Sequence, residues 1–316
     1  MRFRYDVVAL GEAMIEFNQV SQSDGRMYLQ GFGGDTSNTI IAAARQGARS
    51  AYVTLVGKDA FGAMFLKLWE TEGVNVSAVG VRPDAPTAIY FVRHDQDGHH
   101  FCYLRKGSAA SRITPDDLPN EVIGNTKFLH VSGISQAISG SARDTVAHAI
   151  AMAREAGARI SYDPNLRLAL WSLEDARQVI IETLAMTDEF LPGFDEMSQV
   201  SGLMQPEDII DWAHRQGAKV VVLKMGEKGV LASDGCTRQK IAAPSVQALD
   251  ATGAGDGFDG AYLARRAQGE DVFSSARWAA ASAALSTLGF GAVAPLPTAA
   301  QVAEFLQARR TGAGQK

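Results

Sequence analysis

The stretch that organises this chain reads Leu249-Asp250-Ala251-Thr252-Gly253-Ala254-Gly255-Asp256-Gly257-Phe258, and an apolar run follows it. We interpret it as a loop that turns into a helix, with residues 253–255 at the helix entrance. Glycines there allow a ligand to approach the backbone closely. The first amides of a helix lack internal partners and lie at the positive end of its dipole. The pattern therefore predicts an anion hole, for which phosphate is the natural occupant.

Asp256 follows these glycines directly. A carboxylate beside a phosphate site is repelled unless it has a chemical task there. The task that fits is to accept the proton of an attacking hydroxyl group. The alternative is that Asp256 complements the helix dipole after an ordinary glycine turn. Taken alone, the motif favours this alternative, whereas the rest of the chain favours the first interpretation.

Composition limits the class of protein. The chain has 316 residues, of which 46% are hydrophobic, and a formal net charge of −5. This length allows one large α/β domain or two smaller ones, and the hydrophobic fraction supports a sizeable core. The negative charge argues against a nucleic-acid binder. The cysteines, Cys102 and Cys236, are far apart and suggest neither a disulfide framework nor a zinc site.

Targeting signals are not evident in the sequence. The first residues run into only a short apolar stretch, which predicts no signal peptide. No apolar run is long enough to span a bilayer, so no membrane partner is expected. Together with the cysteine usage, these features predict a cytoplasmic protein.

A second glycine-rich loop, at residues 31–35, opens a helix predicted from about Thr36 to Gln46. The polar side chains of Asp35, Ser37 and Asn38 at this helix start make it a second candidate site for a polar ligand. The alternative is a capped helix that simply follows a turn.

Strands and helices alternate along the rest of the chain, which predicts a parallel sheet covered by helices on both faces. Ligands of such sheets bind outside the carboxyl ends of the strands. The segments that begin at Asp163, Gly193 and Lys224 each follow a predicted strand. We therefore expect all three to face one crevice.

Both glycine-rich stretches carry a resemblance to a known family. Gly33-Gly34-Asp35-Thr36-Ser37-Asn38 matches the amino-terminal signature of the ribokinase-like (PfkB-type) sugar kinases, and Asp250 to Asp256 matches the carboxy-terminal one. The resemblance covers nearly the whole chain. Within that family, three segments resemble 2-keto-3-deoxygluconate kinases: Gly11-Glu12-Ala13-Met14, Lys106-Gly107-Ser108-Ala109-Ala110-Ser111 and Tyr162-Asp163-Pro164-Asn165-Leu166-Arg167.

This resemblance implies an α/β fold with a Rossmann-like, mostly parallel core sheet and a small β-sheet lid. A single domain would span residues 1–316, with lid segments at about 12–32 and 87–108 formed by two hairpins. A closing lid would exclude water and so suppress hydrolysis of ATP. The exposed lid sheet would also be a surface for a homo-oligomer.

The resemblance also implies roles for particular residues. Asp256 would be the catalytic base and contact the sugar, and the phosphates of ATP would lie on Gly253, Ala254 and Gly255. The sugar would lie near Gly33, Gly34, Asn38, Tyr90 and Tyr103. The nucleotide would lie near Lys224, Gly226, Gly229, Ala283 and Thr287. Glu196 would organise water around Mg²⁺, and Asp250 and Thr252 would lie beside a monovalent cation such as K⁺. Gly193 replaces an asparagine that is common in the family and supplies a phosphate or metal–water contact.

Two arginines bear on the substrate. Arg105 ends a predicted lid strand and Arg167 follows a predicted core strand. Arginine binds carboxylates with two parallel hydrogen bonds, so the pair favours a sugar acid, although each arginine alone is equally consistent with a surface ion pair. We therefore expect ATP-dependent phosphorylation of the terminal hydroxyl of 2-keto-3-deoxy-D-gluconate. The alternatives are a fructokinase or ribokinase acting on a neutral sugar, and a non-catalytic sugar- or nucleotide-binding protein of the same fold.

Overall fold

The computed structural model describes residues 3–20, 25–95 and 98–313. Its largest element is a nine-stranded sheet with the strand order β13-β12-β11-β10-β9-β8-β1-β4-β5. The strands are β1 (Tyr5–Leu10), β4 (Ser50–Gly57), β5 (Val79–Arg82), β8 (Thr126–Ser132), β9 (Arg159–Asp163), β10 (Glu189–Phe190), β11 (Val220–Lys224), β12 (Val230–Ser233) and β13 (Arg238–Ile241). The strands from β11 to β5 run parallel, and their apolar runs are buried on both faces, as expected for a covered parallel sheet.

Helices cover both faces of this sheet. They are α1 (Asp35–Arg45), α2 (Ala60–Thr71), α3 (Asn120–Ile123), α4 (Gly133–Ala137), α5 (Gly140–Glu155), α6 (Leu173–Leu184), α7 (Phe194–Ser201), α8 (Pro206–Arg215), α9 (Ala254–Ala267), α10 (Val272–Ser286) and α11 (Ala299–Ala313). Apolar residues of α5, α6 and α8 form a core on one face. Those of α1, α2, α9 and α10 form a second core on the other face. No helix among the described residues is both long and apolar enough to cross a membrane.

A separate four-stranded sheet, which we call the lid sheet, has the order β3-β2-β6-β7. It consists of β2 (Met14–Gln19), β3 (Tyr28–Gly33), β6 (Ala88–Asp95) and β7 (Gly98–Leu104). The two predicted hairpins are both present as antiparallel pairs. They join through a parallel pairing of β2 with β6. Large apolar side chains of the lid sheet are exposed on both of its faces, Leu29 and Phe101 on one and Leu104 on the other.

Most predicted elements of the core lie where the sequence places them. The strand Arg159–Asp163 and the helix Pro206–Arg215 coincide with their predicted bounds. The main addition is the edge formed by β12 and β13, which pair antiparallel beside β11. As predicted, the segments after Asp163, Gly193 and Lys224 all leave the carboxyl edge of the large sheet.

Candidate active site

The entrance of α9 is an open set of backbone donors. Gly253 caps the helix with a φ of 71°, and a Cβ added there would lie only 2.8 Å from Ala292 Cβ, so that both conformation and space favour glycine. Ala254 begins the helix. Within the described ranges, the amides of Gly255 and Asp256 have no hydrogen-bond acceptor, and Gly255 is exposed. Free amides at a helix start are what an anion hole requires, and the binding of an anion here stays a prediction.

Asp256 lies in the first turn of α9, where a residue of α1 reaches it. Asn38 Nδ2 donates a hydrogen bond of 2.8 Å to Asp256 Oδ2. The two helices approach closely because Gly260 has no side chain, and a Cβ added there would lie 2.2 Å from the Thr39 carbonyl oxygen. Helix packing therefore brings together residues of the two glycine-rich segments.

The environment of Asp256 suits proton transfer near neutral pH. Burial raises the pKa of the Asp256 carboxyl to about 7, and the neighbouring Asp35 carboxylate adds to the rise. The Asn38 hydrogen bond and the Lys224 charge oppose it. A base is most effective when its pKa lies close to the working pH.

The start of α1 supplies two buried oxygen atoms to which no described residue donates a hydrogen bond. Asn165 Nδ2 donates to Asp35 Oδ2 over 3.3 Å. In the part of the chain that the structure describes, Asp35 Oδ1 and Asn38 Oδ1 are buried without hydrogen-bond partners. Burial raises the pKa of the Asp35 carboxyl, and the Ser132 hydroxyl and the Thr36 amide oppose this. Buried acceptors without donors fit the hydroxyl groups of a sugar.

The lid sheet closes over this pocket with aromatic side chains. Tyr90 is buried and its hydroxyl donates to Glu16 Oε2 over 2.5 Å. A Cβ added to Gly33 would lie 2.5 Å from the Tyr90 hydroxyl oxygen. Burial and the adjacent Glu16 carboxylate raise the pKa of Tyr90, and the negative charge of Asp256 also contributes. The Tyr103 ring lies beside that of Tyr90, tilted by 31° with 5.7 Å between ring centroids, and is 41% exposed.

The two predicted substrate arginines have different surroundings. Arg105 is 11% exposed, and its Nε donates to Glu12 Oε2 over 2.8 Å. Its Nη2 lies 2.5 Å from the same oxygen and, among the described residues, is buried without a hydrogen bond of its own. Arg167 is 48% exposed and lies 3.5 Å from Glu196 Oε1. Each guanidinium therefore already has a carboxylate neighbour, and the structure shows no contact between the two arginines.

Lys224 lies beneath the anion hole rather than beside open space. Its ammonium donates to Asp163 Oδ2 at 3.0 Å and to both Asp259 oxygens, at 2.9 and 3.0 Å. These contacts use the three donors that an ammonium group has. The role of Lys224 as a nucleotide neighbour, which the resemblance implies, stays a prediction.

The other predicted nucleotide neighbours frame the loop before α9. Asp250 Oδ1 accepts from the amide and hydroxyl of Thr252, and Oδ2 accepts from the Gly291 amide at 2.8 Å. The amides of Leu249 and Asp250 donate to the Thr287 carbonyl, which draws this loop to the end of α10, near the partly buried Ala283. Gly226 and Gly229, with φ of 58° and 86°, flank the turn after β11. The proposed monovalent cation beside Asp250 and Thr252 stays a prediction.

Glu196 is the residue that fits a role beside Mg²⁺. It lies in the first turn of α7, after Gly193, and burial raises the pKa of its carboxyl, as does the charge of Asp163. Over residues 3–20, 25–95 and 98–313, no three His, Cys, Asp or Glu side chains could enclose a metal ion. This agrees with the chemistry of Mg²⁺, which binds through one or two carboxylates, waters and substrate phosphates rather than an all-protein cage.

Sequence reasoning did not predict the acidic partners of three site residues. Glu12 pairs with Arg105, Glu16 accepts from Tyr90, and Asp163 and Asp259 accept from Lys224. A signal for some of them exists. Asp259 interrupts the apolar run of α9, and Lys224 ends the apolar strand β11. Buried charges are rare unless they are paired, so one charge of each sign in two apolar segments suggests a pair.

Free helix amides, an adjacent carboxylate with a raised pKa and a small sheet over a polar pocket, all set on a Rossmann-like core, are features that suit a phosphotransferase acting on a hydroxyl group. The chain belongs to the pfkB family of carbohydrate kinases, because the sequence pattern of that family matches residues 4–299. It is therefore a carbohydrate kinase, and its ribokinase-like fold is confirmed.

Two relatives and two solved structures of one fructokinase illustrate the similarity. The 2-dehydro-3-deoxygluconokinase of Bacillus subtilis (strain 168) is 32% identical over 316 residues, which cover 98% of this chain and 97% of the relative. The fructokinase of Solanum tuberosum is 32% identical over 313 residues, which cover 95% of each chain. The Vibrio cholerae O395 fructokinase structure in its fructose, ADP and calcium ion bound form is 28% identical, with a TM-score of 0.86 over 95% of this chain and 98% of that one. A double-mutant structure of that fructokinase, 27% identical, contains a potassium ion. Because relatives that act on a sugar acid and on a neutral sugar are equally similar, these likenesses do not select the sugar.

Proposed function

We propose that this kinase transfers the terminal phosphoryl group of ATP to the terminal hydroxyl of 2-keto-3-deoxy-D-gluconate and forms 2-keto-3-deoxy-6-phosphogluconate. The observation that carries the choice of a sugar acid is the guanidinium of Arg105. It is buried where the lid meets the core, and its Nε and Nη2 both contact one oxygen of Glu12, whereas among the described residues its Nη1 donates no hydrogen bond. A carboxylate is the group that best satisfies an arginine nitrogen in such a place.

Arg167 supports the same assignment from the core side. It leaves the carboxyl edge of β9 two residues after Asn165, whose amide contacts Asp35 in the sugar pocket. Its contact with Glu196 is long, at 3.5 Å, and half of the side chain is exposed. Its shorter contact, a hydrogen bond of 2.9 Å from Nη1 to the Leu166 carbonyl oxygen, is local, so Arg167 could turn toward a carboxylate held between lid and core.

The chemistry follows from the groups in the site. Asp256 removes the proton of the terminal hydroxyl as it attacks, since its pKa of about 7 suits a base at neutral pH. The amides of Gly255 and Asp256 hold the transferring phosphoryl group. Mg²⁺, bound to the phosphates near Glu196, would neutralise their charge. The lid residues Tyr90 and Tyr103 exclude water from the reaction.

A neutral sugar is the second candidate, and one observation favours it. Glu12 already balances the charge of Arg105, while Asp35 Oδ1 and Asn38 Oδ1 offer acceptors suited to neutral hydroxyl groups. A fructokinase would use these acceptors and would need no arginine to bind its neutral substrate.

A coupled ADP-release assay on the keto-deoxy acid, gluconate, fructose and ribose separates the candidates. We expect the keto-deoxy acid to give the highest kcat/KM. Arg167→Ala should lower that value by roughly 10²-fold, the loss of a charge-assisted hydrogen bond of about 2–3 kcal/mol. Arg105→Lys should lower it less, because it keeps a positive charge opposite Glu12. Some loss should remain, because an ammonium cannot make the planar two-point contact.

Two controls sharpen this test. Turnover of any neutral sugar that the wild type accepts slowly should hardly change in either variant. Arg82→Ala removes the last residue of the edge strand β5, which pairs with Asp84. This change should leave all activities unchanged. Equal losses on charged and neutral sugars would reject the sugar-acid assignment. The absence of ADP release with every sugar would favour a binding protein instead.

A further inference from the structure

The buried ion cluster of Lys224, Asp163 and Asp259 joins three elements beneath the anion hole. Lys224 ends β11, Asp163 ends β9 and Asp259 lies in α9. Their side chains are 14%, 7% and 1% exposed, and the three distances from the ammonium nitrogen are 2.9 to 3.0 Å. We call these three residues the ion triad.

The ion triad lies directly under the groups that carry out phosphoryl transfer. A Cβ added to Gly255 would be 3.7 Å from the Lys224 ammonium nitrogen. Asp259 lies one helical turn after Asp256, on the same helix, so a rotation or shift of the first turn of α9 would break both Lys224–Asp259 hydrogen bonds. The triad therefore constrains the anion hole from below.

The triad also reaches the sugar pocket through a chain of hydrogen bonds. Asp163 Oδ1 accepts from the amide of Asn165 at 3.1 Å, and this helps to hold Asn165 at a φ of 35°, which is unusual for a residue other than glycine. Asn165 Nδ2 in turn donates to Asp35. Asp35 and Asn38 share the first turns of α1, and Asn38 donates to Asp256. The contacts thus form a closed ring from α9 through β11, β9 and α1 back to α9.

A role in stability alone explains this arrangement poorly. Buried ion pairs are often no more stabilising than apolar residues of similar volume, because removing charges from water is costly. They are strongly directional, however, and a fully hydrogen-bonded buried network fixes one arrangement of the elements that it joins. Here those elements carry the base, the anion hole and the sugar pocket.

We propose that the ion triad positions the anion hole and the base Asp256 for phosphoryl transfer, with Lys224 acting as an internal cation rather than as a phosphate ligand. This inference rests on the kinase activity described above and on no particular sugar. The Lys224 charge also faces Asp256 and lowers its pKa. Other charged or titratable groups that interact with the triad come from α1, α7, α9, β8 and β9, and they are Asp35, Glu196, Asp256, His130 and Tyr162.

Two variants test this proposal. Asp259→Asn keeps the shape and a hydrogen-bond acceptor for Lys224. Lys224→Met together with Asp259→Asn removes the ammonium and one of its two carboxyl partners. Because burial and the Asp163 charge raise the pKa of the Asp259 carboxyl, the double change removes mainly the positive charge. The matched control is Lys219→Met, which removes the exposed lysine just before β11 that pairs with Asp188.

The readouts are kcat and the pH profile of kcat/KM with the best sugar, and the affinity for Mg²⁺–ADP by calorimetry, all well below the unfolding temperature of each variant. We expect the double variant to lose kcat on the order of 10²-fold, the scale of misplaced reacting groups, while Mg²⁺–ADP affinity changes little. The acidic limb of its profile should move up by about one pH unit, because Asp256 loses a nearby positive charge. Asp259→Asn should show a smaller loss of kcat, and Lys219→Met should behave like the wild type.

Several results would overturn the proposal. Wild-type kcat and an unmoved acidic limb in the folded double variant would assign the triad to stability alone. If circular dichroism shows that the double variant is unfolded, wild-type kcat in Asp259→Asn overturns it instead. A large loss of Mg²⁺–ADP affinity with unchanged kcat would make Lys224 a nucleotide ligand. Calorimetry needs no sugar, so a failed sugar assignment remains distinguishable from a failed positioning role.

Discussion

The starts of α1 and α9 are two versions of one local structure. Each helix is capped by a glycine at positive φ, Gly34 at 113° and Gly253 at 71°, and neither has a side-chain cap. Each carries one aspartate in its first turn, Asp35 or Asp256. The two helices pack side by side, so the two starts open onto the same crevice.

The difference between them lies in what fills the positive end of the helix. In α1 the Thr36 amide lies against the Asp35 carboxylate and opposes the rise in its pKa that burial causes, and Gly34 is enclosed, since a Cβ there would lie 2.4 Å from the Glu12 carbonyl oxygen. In α9 the carboxylate turns toward Asn38, and within the described chain the amides of Gly255 and Asp256 have no partner. The start of α1 thus faces its own buried carboxylate, whereas the start of α9 is open to an external anion.

This comparison shows how a single motif supplies two halves of one reaction. A helix start filled by its own carboxylate offers acceptors, which suit sugar hydroxyl groups. A helix start with free amides offers donors and a positive potential, which suit a phosphoryl group. We therefore expect the activity to depend on both helix starts, with acceptors at α1 and donors at α9.

The largest effect is expected from Asp256→Asn, which keeps the size of the side chain and removes the proton acceptor. We expect kcat to fall by roughly 10²-fold or more, the usual scale for loss of a general base. The KM values should change far less, because the loss is felt in the transition state. Asp208→Asn, in the exposed first turn of α8, tests whether any first-turn aspartate matters through the helix dipole, and should have no effect. A near-normal kcat in Asp256→Asn would remove this residue from the mechanism.

The same residue sets the pH dependence of the wild type. Asp256 acts only when ionised, and its pKa is raised to about 7. The kcat/KM should therefore decline as the pH falls below about 7, roughly tenfold per pH unit, and level off at higher pH. A profile measured from pH 5 to 9 with constant ionic strength checks this.

An effect of similar size is expected from Gly255→Val, which would give α9 a side chain where the phosphoryl group is expected to approach. The position has an ordinary φ and room for a Cβ, whose nearest neighbour would be the Lys224 ammonium at 3.7 Å, so the variant should fold. We expect a loss of kcat of about 10²–10³-fold, comparable to removing a donor from an oxyanion hole. Gly140→Val is a matched control, because Gly140 begins α5 with equal room. Full activity in a folded Gly255→Val protein would show that this glycine serves only the turn.

The smallest effect is expected from Asp35→Asn at the start of α1. It keeps an oxygen acceptor for the sugar but removes the charge that strengthens the hydrogen bond, so kcat/KM should fall on the order of tenfold. Since the Asp35 charge raises the pKa of Asp256, the acidic limb of the profile should also move to lower pH. This shift is opposite to the one expected for the loss of Lys224. Movement to higher pH would contradict the charge arrangement described for the two helix starts.

The fold was largely predictable because its signals are local. Buried β strands and amphipathic helices alternate with clear glycine turns, and strand β9 and helix α8 coincide with their predicted bounds. The edge strands β12 and β13 were missed because they have only four residues each and lie between glycine turns. Helix α10 was indicated only around Ala283 and Thr287, because small residues dominate it and give little amphipathic contrast.

The site was predictable only in part, for a physical reason. The anion hole and Asp256 follow from a contiguous motif, whose chemistry is set by local backbone geometry. Asn38 reaches Asp256 across 218 residues of sequence, and such a partnership depends on helix packing rather than on spacing. The same holds for Arg105, whose neighbour Glu12 lies on a different segment. Sequence reasoning predicted a ligand role for this arginine without the carboxylate that neutralises it.

Gly260 limits the distance between helices α1 and α9. Since a Cβ there would collide with the Thr39 carbonyl oxygen at 2.2 Å, no larger residue can occupy this crossing without pushing α1 and α9 apart. The separation between the sugar acceptors and the proton-accepting group is thus held at a point remote from either ligand. Changes in the lid sheet could then alter which sugar is bound, while the distance between the polar atoms of α1 and the Asp256 carboxylate stays constant.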